Sequence, residues 1–203
     1  MGTKVKICGL RRIEDIQYVN EAMPDLAGFI FDSSRRRYID PQKAAGLRAE
    51  LAPGIKAVGV FVNAPAKLII DTIKTVRLDA VQFHGNESEE FIRQAKMETG
   101  LPIIKAFRIS SAEDLEKACA SSADMILLDN GKGGTGKSFD WSLLKDVPRD
   151  FMLAGGLGPD NAAEAVRTVR PWGLDASSGL ETDGFKDYDK IIEFMDAVRS
   201  TDE

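Results

Sequence analysis

The chain has 203 residues, 43% of them hydrophobic and 29% charged, with a formal net charge of −5. That length suits one domain with a substantial core, and the composition excludes both a disordered segment and a membrane protein. The acidic balance argues against broad phosphate-backbone binding, so nucleic acid is not an expected partner.

No apolar run approaches the ~20 residues of a spanning helix, so no membrane partner is expected either. Strand character begins within the first residues, which leaves no room for a secretory signal. Two cysteines far apart, Cys8 and Cys119, and a single histidine, His84, make neither a disulfide framework nor a zinc site. A cytoplasmic, reduced location is the expectation.

In chain order, residues 4–8 alternate as a strand, with Val5 and Ile7 on one face and Lys6 and Cys8 on the other. Gly9 breaks it. A helix is predicted over 13–22, with Glu14 and Asp15 suited to its positive end. A strand over 26–31 leads into the basic run Ser33-Ser34-Arg35-Arg36-Arg37. Pro41 opens a helix to about residue 51, where Pro53-Gly54 stops it. A strand over 56–62 ends at Asn63, and Pro65 starts a helix to 76. A strand over 80–83 ends at His84-Gly85. Ser88, followed by Glu90 and Phe91, starts a helix to about 97.

Gly100 closes that helix, and 102–107 is the next strand. Ser110 or Ser111 caps a helix to 120. A strand over 125–128 ends on Asp129, a glycine-rich loop fills 130–137, and a short helix lies around 141–144. A strand over 151–154 ends in Gly155-Gly156, and Pro159 starts a helix to 169. A strand over 172–176 ends in Ser177-Ser178-Gly179, and a last helix covers 187–198.

Eight strand–helix units follow one another without linker or low-complexity segment. Such alternation means an α/β fold with a helix-covered parallel sheet. Eight units fit a single-domain (βα)8 TIM barrel over 1–203, in a short version. An open doubly wound sheet is the rival. The barrel is preferred because unusual residues follow nearly every strand, and a barrel gathers all those ends at one mouth. They are Cys8, the arginine run, Asn63, His84, Asp129, Gly155-Gly156, Asp175 and Ser177-Ser178-Gly179.

At these positions the chain closely resembles the phosphoribosylanthranilate isomerases. The segments that carry the resemblance are Lys6-Ile7-Cys8-Gly9, Gly59-Val60-Phe61-Val62-Asn63, Val81-Gln82-Phe83-His84-Gly85 and Leu127-Leu128-Asp129. Further along are Gly133-Gly134-Thr135-Gly136 with Phe139-Asp140-Trp141, then Ala154-Gly155-Gly156-Leu157 and Asp175-Ala176-Ser177-Ser178-Gly179. Their order and approximate spacing are the family's, across almost the whole chain.

The resemblance implies a cofactor-free, metal-free (βα)8 barrel of tryptophan biosynthesis. Its reaction is an Amadori rearrangement of N-(5-phosphoribosyl)anthranilate, a small phosphorylated aminosugar. Such chemistry needs an acid to protonate the furanose oxygen and a base to remove the C2 proton. The resemblance assigns Cys8 as base and Asp129 as acid. Lys6, on the same face as Cys8, is expected to help the thiol ionise. Asp129 is expected to hold its proton through burial or a neighbouring anion such as the Cys8 thiolate.

The two glycine-bearing loops, with Gly155, Gly156, Ser177, Ser178 and Gly179, suit phosphate through backbone N–H groups. Arg37 is the expected ligand of the anthranilate carboxylate. The family has proline and serine in that loop, so Arg35 and Arg36 remain alternatives. His84 and Asp175 are expected at the substrate. The blander readings are a packing histidine, a structural aspartate and a solvated arginine loop. Asn63 reads as a turn residue, Cys119 as structural, and Phe139 and Trp141 as packing. A homodimer is left open, because exposed faces cannot be read from sequence.

One motif points elsewhere. Residues 131–138, Gly-Lys-Gly-Gly-Thr-Gly-Lys-Ser, fit G-x-x-x-x-G-K-[ST] after a strand, with Asp175 as a Walker-B-like partner. A P-loop nucleotide hydrolase is therefore the alternative. The short following helix and the position in the sixth of eight units favour a loop closing over the pocket instead. A sugar-phosphate binder without catalysis is a third reading. The presence of both Cys8 and Asp129 argues against it.

Overall fold

The computed structural model describes residues 2–129, 141–144 and 146–201. Its strands are β1 (Lys4–Cys8), β2 (Leu26–Ile30), β3 (Lys56–Phe61), β4 (Ala80–Phe83), β5 (Ile103–Arg108), β6 (Met125–Asp129), β7 (Phe151–Ala154) and β8 (Gly173–Ala176). Each pairs in parallel with the next, and β8 pairs with β1, so the sheet closes as a barrel. Helices α1 (Ile13–Ala22), α2 (Pro41–Ala49), α3 (Ala66–Val76), α4 (Glu89–Thr99), α5 (Ala112–Cys119), α6 (Pro159–Val169) and α7 (Tyr188–Arg199) make the outer layer.

Period-2 alternation sorts each strand between two cores. Ile7, Phe29, Phe61, Val81 and Leu128 face outward and belong to the large core shared with the helices. Leu26, Val58, Ala80, Ile104, Ala106, Leu127, Met152 and Ala154 point inward and fill the barrel. Lys6 shares the inward face and is fully buried. The odd feature of the first strand, an apolar outer face with a polar inner one, is thus the barrel's own geometry.

The helix starts follow their caps. Ser88 Oγ accepts from the Phe91 N–H at the start of α4, and Ser111 Oγ accepts from the Asp114 N–H at the start of α5. Asp40 and Asp187 do the same for α2 and α7. Helix α2 stops at Ala49 rather than near 51, because the Glu50 and Leu51 N–H groups turn back to Leu47 and Arg48. The short helix expected around 141–144 is present as a 3-10 helix, Trp141–Leu144, and Trp141 packs against the core.

A small ribbon was not foreseen. After β8 and a 3-10 turn (Ser178–Leu180), strands β9 (Glu181–Thr182) and β10 (Phe185–Lys186) pair antiparallel around Asp183-Gly184. Both turn residues have positive φ, 51° and 83°. That is the mirror-image turn that two-residue hairpins favour, and Asp-Gly suits it. The ribbon brings Glu181 directly opposite Lys186 at the barrel mouth.

Candidate active site

Strand β1 delivers two functional groups into the barrel. Lys6 Nζ lies 2.9 Å from both carboxylate oxygens of Asp175 on β8. The two residues are register partners, and neither side chain is more than 8% exposed. Lys6 also bonds to Cys8. Burial pulls the ammonium's pKa down, but the charges of Asp175 and Cys8 outweigh it and hold the pKa above its ordinary value.

The Cys8 thiol is buried at the end of the same strand. Burial pushes its pKa up; Lys6 pulls it back, while Asp175 pushes it up again, and the net result is a raised value. Lys6 acts in the expected direction, easing ionisation, but burial of the thiol outweighs it and the Asp175 charge adds to the rise. Gly28 beside it leaves the sulfur room: a Cβ there would lie 2.7 Å from Cys8 Sγ.

Arg37 comes next. Its stem lies over Gly9, whose φ of +86° and missing Cβ leave space only 2.6 Å from Arg37 Cδ. Its Nε and Nη2 donate to the two oxygens of Glu181, at 2.5 and 2.9 Å. Arg36 donates to Glu181 as well, but its side chain is 53% exposed. Arg35 turns away to Asp32. Arg37 is therefore the arginine of the three held against the mouth.

Glu181 has a third cationic neighbour. Lys186 Nζ is 3.2 Å from Glu181 Oε1 and donates to the Ser177 carbonyl at 2.8 Å. Burial pushes the Glu181 carboxyl up, yet Arg37, Lys186 and Arg36 together bring it down to about 2. Lys186 itself is pulled below the ordinary lysine value by burial, against the attraction of Glu181. The charges of Lys186 and Arg37 also reach Cys8.

The loops after β7 and β8 meet each other. Gly155 and Gly156 both have positive φ, 95° and 67°, as a tight turn of this kind requires. Asn161 fastens the turn, accepting from the Gly158 N–H and donating to the Gly156 carbonyl. Gly179 packs so closely that a Cβ there would fall 2.1 Å from the Leu157 oxygen. Ser177 Oγ donates to the Cys8 carbonyl at 2.9 Å, tying this loop to β1. Gly156 and Ser178 are exposed at the surface of the mouth.

On the other side, His84 follows β4 and Asp129 ends β6. His84 Nε2 lies 3.6 Å from Asp129 Oδ2, with side chains 40% and 28% exposed. Gln82, buried on β4, places Nε2 3.0 Å from His84 Nδ1. That contact holds the imidazole ring with its Nε2 edge toward Asp129. Below, Lys105 donates to the Gly85 carbonyl, and Glu87 accepts from the Gly85 and Asn63 N–H groups. These bonds fix the loop that carries His84 and give Asn63 the turn role read from the sequence.

The closed barrel therefore gathers Cys8, Arg37, His84, Asp129, Gly155, Gly156, Asp175, Ser177, Ser178 and Gly179 at the C-terminal ends of its strands. Asp175 differs from the expectation of a substrate ligand, since both its oxygens are turned to Lys6. The residues that sequence reasoning missed are Glu181 and Lys186. The Asp-Gly turn between them was the available signal. The glycine-rich segment 131–138 lies outside the described residues, as does Phe139.

Fold and mouth together define a (βα)8-barrel enzyme with a thiol and a carboxyl, the groups that acid–base chemistry uses, at separate strand ends and cations gathered about the thiol. The model of the N-(5′-phosphoribosyl)anthranilate isomerase family matches residues 5–197. The chain belongs to that family.

An N-(5′-phosphoribosyl)anthranilate isomerase from Caldanaerobacter subterraneus subsp. tengcongensis is 45% identical over 202 residues, covering 97% of this chain and 98% of that protein. A solved phosphoribosylanthranilate isomerase in complex with reduced 1-(o-carboxyphenylamino)-1-deoxyribulose 5-phosphate superposes with a TM-score of 0.88 at 38% identity, covering 98% and 99% of the two chains. A structure of monomers made from the dimeric Thermotoga maritima isomerase superposes with a TM-score of 0.87 at 38% identity, again covering 98% and 99%. The family match runs through the glycine-rich segment, and Asp175 is engaged with Lys6, so the nucleotide-hydrolase reading is set aside.

Proposed function

We propose that this chain catalyses the Amadori rearrangement of N-(5-phosphoribosyl)anthranilate to 1-(2-carboxyphenylamino)-1-deoxyribulose 5-phosphate, with Asp129 as acid and Cys8 as base. The observation that carries the reading is the pair of proton-handling groups at the ends of β6 and β1, three strands apart round the ring. Strand spacing of about 4.8 Å leaves a gap that a bound pentose can bridge between two inward side chains.

Asp129 gives its proton to the furanose oxygen. The bond from that oxygen to C1 breaks, its electrons stay on oxygen, and C1 becomes an iminium carbon. The Cys8 thiolate then takes the C2 proton, and the C2–H electrons neutralise the iminium to give an enolamine. Tautomerisation to the 2-ketone completes the reaction. Burial keeps most of the resting thiol protonated, so the working fraction is small at neutral pH. The Lys6 ammonium and the positive charge of the iminium both favour the thiolate.

In this reading Gly155, Gly156, Ser177, Ser178 and Gly179 receive the phosphate, Arg37 takes the anthranilate carboxylate, and His84 lies against the substrate beside Asp129. Asp175 serves by holding Lys6. We further place the enzyme in the cytoplasm; among the described residues no helix is long and apolar enough to cross a membrane. A homodimer, the state named for the Thermotoga maritima relative, is the assembly that sedimentation of this chain should test.

The decisive assay is turnover of phosphoribosylanthranilate in metal-free buffer. The unmodified chain turns over, while Cys8→Ser and Asp129→Asn still bind a product analogue and lose about 100-fold or more in kcat. Product-analogue binding without turnover by the unmodified chain would leave only a sugar-phosphate binder. Magnesium-dependent ATP hydrolysis would revive the P-loop.

A further inference from the structure

Arg37 is already paired before any substrate arrives. A carboxylate inside the protein occupying a carboxylate receptor has two opposite meanings. It is either a stand-in that substrate must displace or a clamp that aims the receptor. The geometry separates them.

A guanidinium offers two edges to a carboxylate: a side edge, made by Nε and one terminal nitrogen, and an end edge, made by the two terminal nitrogens. Glu181 takes the side edge, through Nε and Nη2. Among the described residues Nη1 has no hydrogen-bond partner, so the end edge stays available.

Glu181 is poorly placed to leave. Its side chain is 6% exposed, and it is held by Arg36 and Lys186 as well as Arg37. Its own carbonyl accepts from Lys190 Nζ at 2.8 Å. Gly9 fixes the Arg37 stem from beneath. An arginine gripped at its stem and along one edge has lost most of its rotamer freedom before binding. That is the condition under which a flexible side chain binds tightly.

We propose that Glu181 is a positioning residue that grips the side edge of Arg37 and thereby aims its end edge at the anthranilate carboxylate. The proposal rests on the reading of Arg37 as the receptor of that carboxylate.

The test compares two substrates, N-(5-phosphoribosyl)anthranilate and its aniline counterpart, which lacks the carboxylate. Each is assayed with the unmodified enzyme, Arg37→Ala, Glu181→Gln and Glu181→Asp. Arg37→Ala should raise KM for the anthranilate substrate at least about tenfold and leave the aniline substrate within about twofold. Glu181→Gln should show the same discrimination with a KM rise of about tenfold or less, since the arginine remains but is no longer aimed. Glu181→Asp keeps the charge among three cations but shortens the reach. It should discriminate in the same direction, and it serves if the Gln variant does not fold.

If Arg37→Ala fails to discriminate between the substrates, the reading of Arg37 falls and this proposal with it. If Arg37→Ala discriminates but the Glu181 variants do not, Arg37 stands and the positioning role is overturned. Equal losses on both substrates would mean a general structural role. A KM that falls on removing Glu181 would mean a displaced stand-in. Either result overturns the proposal.

Discussion

The two sides of the barrel mouth are built differently. On the β1–β8 side, Lys6, Cys8, Asp175 and Lys186 are buried, the Glu181 side chain is 6% exposed, and the four charged groups among them all sit in ion pairs. On the β4–β6 side, His84 and Asp129 are substantially open to solvent, 3.6 Å apart. The Cys8 thiol thus stands in a fixed, low-dielectric surrounding, whereas the Asp129 carboxyl stands where water can reach it. Buried charge touches the thiol itself on one side, through Lys6 and Asp175, while on the other the buried pair Lys105–Glu87 holds the loop behind His84 and leaves Asp129 open.

If that contrast is right, the largest effect comes from the buried pair. Lys6→Met leaves Asp175 as an uncompensated buried anion and should cost about 3–5 kcal/mol in denaturant unfolding. The paired change Lys6→Met with Asp175→Leu should restore much of that stability without restoring the rate. The pH dependence follows the same logic. If the thiolate is the active form, as proposed, a thiol pKa raised by burial puts the rising limb of kcat/KM on the alkaline side of neutral. Loss of Lys6 should move that limb higher still, lowering the rate at neutral pH.

Next in size is the junction of the two glycine loops. Gly179→Ala puts a Cβ against the Leu157 oxygen and should destabilise by about 1–3 kcal/mol, because backbone rather than a pliable side chain is in the way. KM should rise for any phosphorylated substrate, the aniline counterpart included. An unchanged KM would move the phosphate elsewhere.

A smaller effect belongs to Glu181. Its carboxyl is held at about 2 in the folded chain against an ordinary 4.5. A depressed carboxyl contributes stability that is present above 4.5 and lost as pH falls toward about 2. Acid titration of the unfolding midpoint should show this loss, and Glu181→Gln should show less of it over the same window. The smallest effect calibrates the rest. Lys67→Ala removes an exposed pair with Asp71 on α3 and should change stability by no more than about 0.5 kcal/mol.

Much of this was readable from the residues themselves. The alternation in Val5-Lys6-Ile7-Cys8 assigned Lys6 and Cys8 to one face, and Ser88 and the pair Ser110-Ser111 marked helix starts, because these are local rules of period and capping. Most of the mouth residues followed from one topological step, closure of the eight strands. What stayed hidden depended on distant partners. Asp175 reads as a substrate ligand until register places it beside Lys6. Glu181 reads as an ordinary surface acid, because strands of two residues are too short to show a period. Only Asp183-Gly184 hinted at the hairpin that turns it toward Arg37. The sign of the Cys8 shift was out of reach for the same reason: it is a balance between burial and two charges from opposite ends of the chain.

The separation between Lys6 and Asp175 also bears on how the protein is made. They are 169 positions apart, and the strand carrying Lys6 leaves the ribosome long before the one that neutralises it. Burying the Lys6 ammonium inside the ring therefore has to wait for the last strand, and a chain ending before Asp175 would leave that lysine without its carboxylate in any closed barrel.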